Sequence, residues 1–169
     1  MAINQAMCGS YKEEITAGIH FWMSHSRTGA VTIAADTFKI AMFTSSRTDA
    51  NEDLTAYTVT NEVSGSGYSA GGAALGSVTL GLADNSSTVP TAFLDFADTT
   101  WSSSTIANAR CAMIYNSTLS TAGTAGDVTH SAYPTVCVLD FGGDKSSSSG
   151  DFTIQYPAND ANNAIIRLA

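Results

Sequence analysis

Apolar residues along this chain fall into short runs separated by clusters of Ser, Thr, Asn, Asp and Gly, the pattern of strands and turns. The densest stretch lies between Val89 and Tyr115. It predicts a hairpin of two strands, residues 92–101 and 106–115, joined by a polar loop at 102–105. Both halves have echoes elsewhere. Phe93-Leu94-Asp95-Phe96-Ala97-Asp98, followed by Ser102-Ser103-Ser104, returns as Val138-Leu139-Asp140-Phe141-Gly142-Gly143-Asp144 before the serines at 146–149. Cys111-Ala112-Met113-Ile114-Tyr115 resembles Ile40-Ala41-Met42-Phe43 with its flanks. The echoes are unequally spaced, which speaks against a solenoid and for one strand recipe used again.

The same pattern predicts a short edge strand at 31–35, a strand at 37–43, an alternating strand at 56–63 and another at 75–82. Beyond the hairpin come a small-residue loop at 117–127, a buried strand at 133–141, a tight polar turn at 142–150, its partner strand at 151–156, and a closing strand at 164–168 at a sheet edge. A polar loop is expected at 24–29, a charged loop at 45–54, a flexible glycine-rich loop at 65–72 and a turn at 83–88. Helical spacing occurs once. Ile3, Met7, Tyr11, Ile15, Ile19 and Trp22 recur at three- and four-residue steps, and Ser10-Tyr11-Lys12-Glu13 has the form of a capping box. A helix is therefore expected from Tyr11 to about Trp22, weakened by Gly18, with residues 1–9 as an arm before it. So short a helix must pack on something, either one end of the sheets or a neighbouring subunit.

The expected fold is all-β: an antiparallel β-sandwich, jelly-roll-like, with one N-terminal amphipathic helix and arm. Residues 1–23 would form the arm and helix, and 24–169 the sandwich domain. Composition agrees with this. The 169 residues suit one domain, 44% are hydrophobic, and only 13% are charged. Ser and Thr make up roughly a quarter of the chain, which suits strands and turns. A hydroxyl-rich surface also desolvates more cheaply than a charged one, as a subunit in an assembly requires.

A net charge of −8 and scattered Lys and Arg argue against nucleic-acid binding. No apolar run reaches a membrane span, and the N-terminus lacks a signal peptide's features. Cys8, Cys111 and Cys137 are odd in number and far apart, and read as buried structural thiols. Gly65-Ser66-Gly67-Tyr68-Ser69-Ala70 formally matches a dinucleotide fingerprint, but Gly71-Gly72 and a strand follow where a helix would be needed. Asp140-Phe141-Gly142 has none of a kinase's accompanying motifs. His20, His25 and His130 complete no zinc set and are expected to be solvated or capping. Asp95, Asp98, Asp140 and Asp144 recur at strand ends, where they cap turns or bind a cation. Trp22, Trp101, Tyr68, Tyr115, Tyr133 and Tyr156 would be core aromatics or a platform for a sugar or partner. No catalytic residue, metal site or cofactor is assigned.

Several stretches together resemble a widespread group of small tailed-phage virion proteins. They are Ile3-Asn4-Gln5-Ala6-Met7-Cys8 with Ser10-Tyr11-Lys12, the segment from Thr37 to Ser46, and Thr60-Asn61-Glu62-Val63 with Gly67-Tyr68 and Gly71-Gly72. To these are added Leu94-Asp95-Phe96-Ala97-Asp98 with Trp101, Ile114-Tyr115-Asn116, Leu139-Asp140-Phe141-Gly142 with Asp144-Lys145, and Asn163-Ala164-Ile165-Ile166-Arg167. Residues 24–35 depart most from the group's pattern. The resemblance implies a non-enzymatic structural protein of the virion, assembled in the host cytoplasm. Within that group it points to a capsid decoration, or cement, protein that binds the major capsid protein, often as a homotrimer. The clamp would be the arm and helix face: Ile3, Met7, Tyr11, Ile15, Ile19 and Trp22. The alternatives are a neck, tail or fibre component with adaptor or receptor-binding work, and a hydrolase using the paired aspartates.

Overall fold

A computed structural model describes residues 3–27, 31–83 and 90–169. Its elements in chain order are β1 (Ala6–Met7), α1 (Gly9–Thr16), β2 (His25–Arg27), β3 (Val31–Ile33), β4 (Phe38–Phe43), β5 (Gly65–Ser66) and β6 (Ala73–Ala74). There follow β7 (Thr79–Ala83), β8 (Thr91–Asp95), β9 (Thr99–Asn116), β10 (Gly123–Ala125), β11 (Val128–His130), β12 (Thr135–Ile154) and β13 (Ile166–Leu168). The described residues are mostly β, with antiparallel sheets and one short helix. It divides into two compact units, Met1–Ala74 with Trp101–Phe152, and Leu75–Thr100 with Thr153–Ala169.

The first unit is built on a six-stranded sheet in the order β1-β12-β9-β4-β6, with β5 paired to β9. Its middle strands are buried on both faces. Ile40, Ala41, Met42 and Phe43 of β4 lie antiparallel to Ile114, Met113, Ala112 and Cys111 of β9, and all eight are at most 1% exposed. This explains why these segments read as continuous apolar runs. Val136, Cys137 and Val138 continue the core in β12.

The N-terminal segment differs from its sequence pattern in three ways. First, the arm is a strand. Ala6 and Met7 pair with Val138 and Cys137, Cys8 N–H donates to Val136 O at 2.9 Å, and Gly9 N–H to Glu52 O at 2.8 Å. Second, α1 starts at Gly9 and no capping box forms. Cys8 stands at the N-cap without a side-chain hydrogen bond to the helix's own amides, and Ser10 lies inside the first turn. Third, the helix stops at Thr16, because Gly18 ends it. Gly18 adopts φ +69°, its N–H reaches Ile15 O at 3.2 Å, and Ile19 N–H reaches Glu14 O at 3.0 Å. That paired closure is the Schellman motif, for which glycine is favoured because it has no Cβ to clash in the left-handed region.

The expected hairpins at 92–115 and 133–156 are replaced by something longer. Residues 102–105 do not turn; β9 runs straight through them, and β12 likewise runs through 142–150. The two strands are neighbours. Their serines are the reason. Ser147 Oγ accepts the Ile106 N–H at 3.2 Å, Ser146 Oγ accepts the Asn108 N–H at 3.0 Å, and Thr105 Oγ1 accepts the Ser149 N–H at 3.0 Å. Ser103, Asn108 and Ser149 have left-handed backbones, with φ of 50°, 57° and 49°. Hydroxyls thus take amide hydrogens where those irregular positions displace the carbonyls of a regular ladder.

Residues 56–63 also differ: they are turns held by isolated bridges, Phe43 to Glu62 and Ala56 to Pro134. Arg47, 3% exposed, satisfies their carbonyls instead, donating to Thr58 O and Thr60 O at 3.0 Å each and to Thr58 Oγ1 at 2.9 Å. The 24–29 loop contains β2, which pairs with β3, and the 117–127 loop contains β10, which pairs with β11. The turn expected at 83–88 lies mostly outside the described residues.

The second unit centres on a three-stranded antiparallel sheet in the order β13-β8-β7, so the closing strand does stand at a sheet edge. Tyr156 packs edge-on against Phe96 at 5.6 Å between ring centroids, and its N–H donates to Asp98 Oδ1 at 3.0 Å.

Candidate interaction surface

Of the six residues expected to form an N-terminal clamp, two lie inside this chain's own core: Tyr11 is 1% and Ile19 6% exposed. Ile3, Met7, Ile15 and Trp22 are half-buried. The Trp22 ring stacks on Phe38 with centroids 3.4 Å apart, and its Nε1–H donates to the Tyr11 hydroxyl at 2.9 Å. Met7 is held in the sheet by β1. The helix stripe therefore packs chiefly on its own sheet.

Beneath it lies a polar chain that sequence spacing does not announce. The Schellman turn reverses the backbone so that His20 folds back beside Glu14, with His20 Nε2 2.7 Å from Glu14 Oε2. Both side chains are essentially inaccessible, so His20 is neither solvated nor a cap. Asn116 completes the arrangement. Its Oδ1 accepts the Thr118 N–H at 3.0 Å, and its Nδ2 faces His20 Nδ1 at 3.1 Å and Asp36 Oδ2 at 2.8 Å. With the amide oriented by Thr118, Nδ1 is an acceptor and the imidazole proton sits on Nε2, donated to Glu14. Every member has a partner, as burial demands.

A second cluster surrounds Glu62. Its carboxylate accepts from the Tyr57 and Tyr68 hydroxyls at 2.6 Å each and from the Gly71 N–H at 2.8 Å, and the Tyr115 hydroxyl donates to Gly71 O at 2.8 Å. Tyr68 also accepts the Met42 N–H at 2.9 Å. Burial first, and then the Glu62 carboxylate, push the Tyr57 and Tyr68 phenols well above their ordinary range. The 65–72 segment, expected to be flexible, is thus clasped to the sheet. Tyr57 stacks on Tyr115 at 4.3 Å, and Tyr133 meets both edge-on at 6.2 Å. Tyr133 has a left-handed backbone at φ 50°, uncommon for a bulky residue, and is 36% exposed. Among the aromatics expected to form a platform, Tyr68, Tyr115 and Trp101 are buried and only Tyr133 counts as exposed.

The four aspartates divide between the two units, Asp140 and Asp144 in the first and Asp95 and Asp98 in the second. Asp140 Oδ1 accepts the Gly142 N–H at 2.9 Å, and Arg110 lies 3.5 Å from Asp140 and 4.0 Å from Asp144. Asp98 caps Tyr156. Asp95, 5% exposed, belongs with Asp98 to the second unit. Among the described residues no three His, Cys, Asp or Glu side chains are grouped to hold a metal. Cys8, Cys111 and Cys137 are free and buried, and burial pushes the thiols of Cys8 to about 11 and Cys111 to about 12.

Three large apolar side chains of the second unit are exposed. Leu80 is 62%, Leu82 65% and Leu168 44% exposed. Register puts Leu80 beside Leu94 and Ile166, and Leu82 beside Ala92 and Leu168, so all six share one face. No family model, curated protein or solved structure matches this chain.

Proposed function

We propose that this is a structural protein of a tailed-phage virion, a capsid decoration protein that binds the outer shell and stabilises capsomer contacts. The supporting observation is where the resembling segments fall. Thr37 to Ser46 contains β4, Leu94-Asp95 closes β8, Ile114-Tyr115-Asn116 closes β9, Leu139 to Gly142 lies in β12, and Ile166-Arg167 opens β13. These are framework residues, with Ile114, Asn116 and Ile40 fully buried, which supports reading the resembling stretches as the ones that hold the sheets together. The sandwich, jelly-roll-like form and a trimeric state on the shell belong to this reading, as does the major capsid protein as partner. Decoration acts by burying surface across capsomer boundaries, so that opening the shell must first break those contacts.

The arm cannot be removed as a simple test. Deleting residues 1–10 takes away β1 and the fully buried Cys8, and so disturbs the sheet itself. Copy number and position in purified particles are the better measurement. On the order of hundreds of copies spread over the shell are expected, following capsid symmetry, whereas about a dozen at one vertex would make it a neck or tail component. Absence from particles would overturn the proposal altogether.

A further inference from the structure

Strand β7 is an edge without the usual protection. Among the described residues nothing pairs with its outer side, since the sheet order ends β8-β7. Natural edge strands are commonly guarded by charge, proline or a bulge. Thr79-Leu80-Gly81-Leu82-Ala83 has no charge and no proline, and pairs with β8 residue for residue. Its two leucines point to one face and are largely exposed. On the other face Gly81 covers the Phe93 ring so closely that a Cβ there would lie 2.3 Å from it.

The segment also reads nearly the same in both directions about Gly81. An antiparallel pairing of two such strands on a two-fold axis at Gly81 sets Leu80 of each copy opposite Leu82 of the other, and Thr79 opposite Ala83. Any one-residue slip would turn the leucines to opposite faces. We infer that β7 is a homotypic docking edge, joining two copies of this chain into one continuous sheet of six strands. Backbone amides and carbonyls supply the hydrogen bonds, and Leu80, Leu82 and Leu168 of both copies form a joined apolar strip on one face. The interface is isologous, each patch being its own complement. Five residues of edge bury far less than the roughly 800 Å² per partner of a standard interface, so the association is weak and concentration-dependent. The inference stands without the shell assignment, because it concerns the free protein.

The register gives a charge-swap test by sedimentation of the purified chain over a wide concentration range. The wild type is expected to rise from the 17.5 kDa monomer toward twice that mass. Leu80→Lys with Leu82→Lys places lysine opposite lysine and should weaken association at least tenfold. Leu80→Lys with Leu82→Glu places lysine opposite glutamate, and should restore dimers at low salt and lose them again as salt screens the pair. Circular dichroism and thermal melts check that both variants fold, as these exposed positions lead one to expect. A wild type that stays monomeric at every concentration would overturn the inference. So would a loss of association that is equal in the two variants, which marks mere stickiness, or a trimer that neither variant affects.

Discussion

At the scale of single residues, the glycines of the 65–72 segment carry more of the fold than their loop-like sequence suggests. Gly72 has φ +68°, and a Cβ there would lie 1.8 Å from the Ile40 carbonyl oxygen in β4. Backbone in the middle of the central sheet cannot retreat from that contact. Gly72→Ala is therefore expected to destabilise the protein by about 3 kcal/mol or more, adding left-handed strain to overpacking. Gly143→Ala is the matched control: its Cβ meets nothing within 4 Å, and the change should stay within about 0.5 kcal/mol. Urea denaturation of the two variants measures the difference, and equal midpoints would contradict this account. The sequence showed a cluster of glycines but not their purpose. The carbonyl that requires Gly72 lies 32 positions earlier in the chain, and only pairing brings it near.

At the scale of elements, what was legible depended on whether a segment's hydrogen bonds were regular. Strand β4 and the edge strand β13 were read from their apolar runs, because a regular ladder imposes a regular pattern. Strands β9 and β12 were cut into pieces because serine clusters ordinarily mark turns. Here the same hydroxyls substitute for ladder carbonyls. The alternation at 56–63 misled in the opposite sense, since Arg47 takes the carbonyls that a neighbouring strand would otherwise need. In the sequence Gly18 reads only as a weak point of the helix, because the apolar spacing continues through Ile19 and Trp22. The ribbon can be tested at Ser147. Its Oγ accepts the Ile106 N–H and lies 2.8 Å from the Oγ of Ser104, which is fully buried. Ser147→Ala leaves that buried amide unpaired and should cost about 1–3 kcal/mol. Combined with Ser104→Ala, the loss should fall short of the sum of the two single changes, because they share one contact. Additive costs would show that the hydroxyls act independently.

At the scale of the whole molecule, the buried acids determine how stability depends on pH. Neither the tyrosine clasp around Glu62 nor the Glu14–His20–Asn116 chain was legible, because residues such as Tyr57, Glu62, Tyr115 and Tyr133 meet only after the sheet has formed. Burial raises the thiols of Cys8 and Cys111 from 9.0 to about 11 and about 12, and raises Cys137 further. It moves the phenols of Tyr11, Tyr57, Tyr68 and Tyr115 in the same direction. In the unfolded chain these groups release their protons from about pH 9 upward, while the folded chain retains them. The unfolded state then binds fewer protons, and the slope of unfolding free energy with pH becomes negative. The stabilisation from neutral buried thiols and phenols is thus complete below about pH 9 and declines as pH rises through 11 and 12. Thermal melts should be level on this account through neutral pH, then drop steeply on the alkaline side. The three thiols of the native protein should resist alkylation at pH 8 and react fully in denaturant. Rapid modification of all three without unfolding would show that the core closed by β1, β4, β9 and β12 is open to solvent, and the alkaline decline would lose its cause.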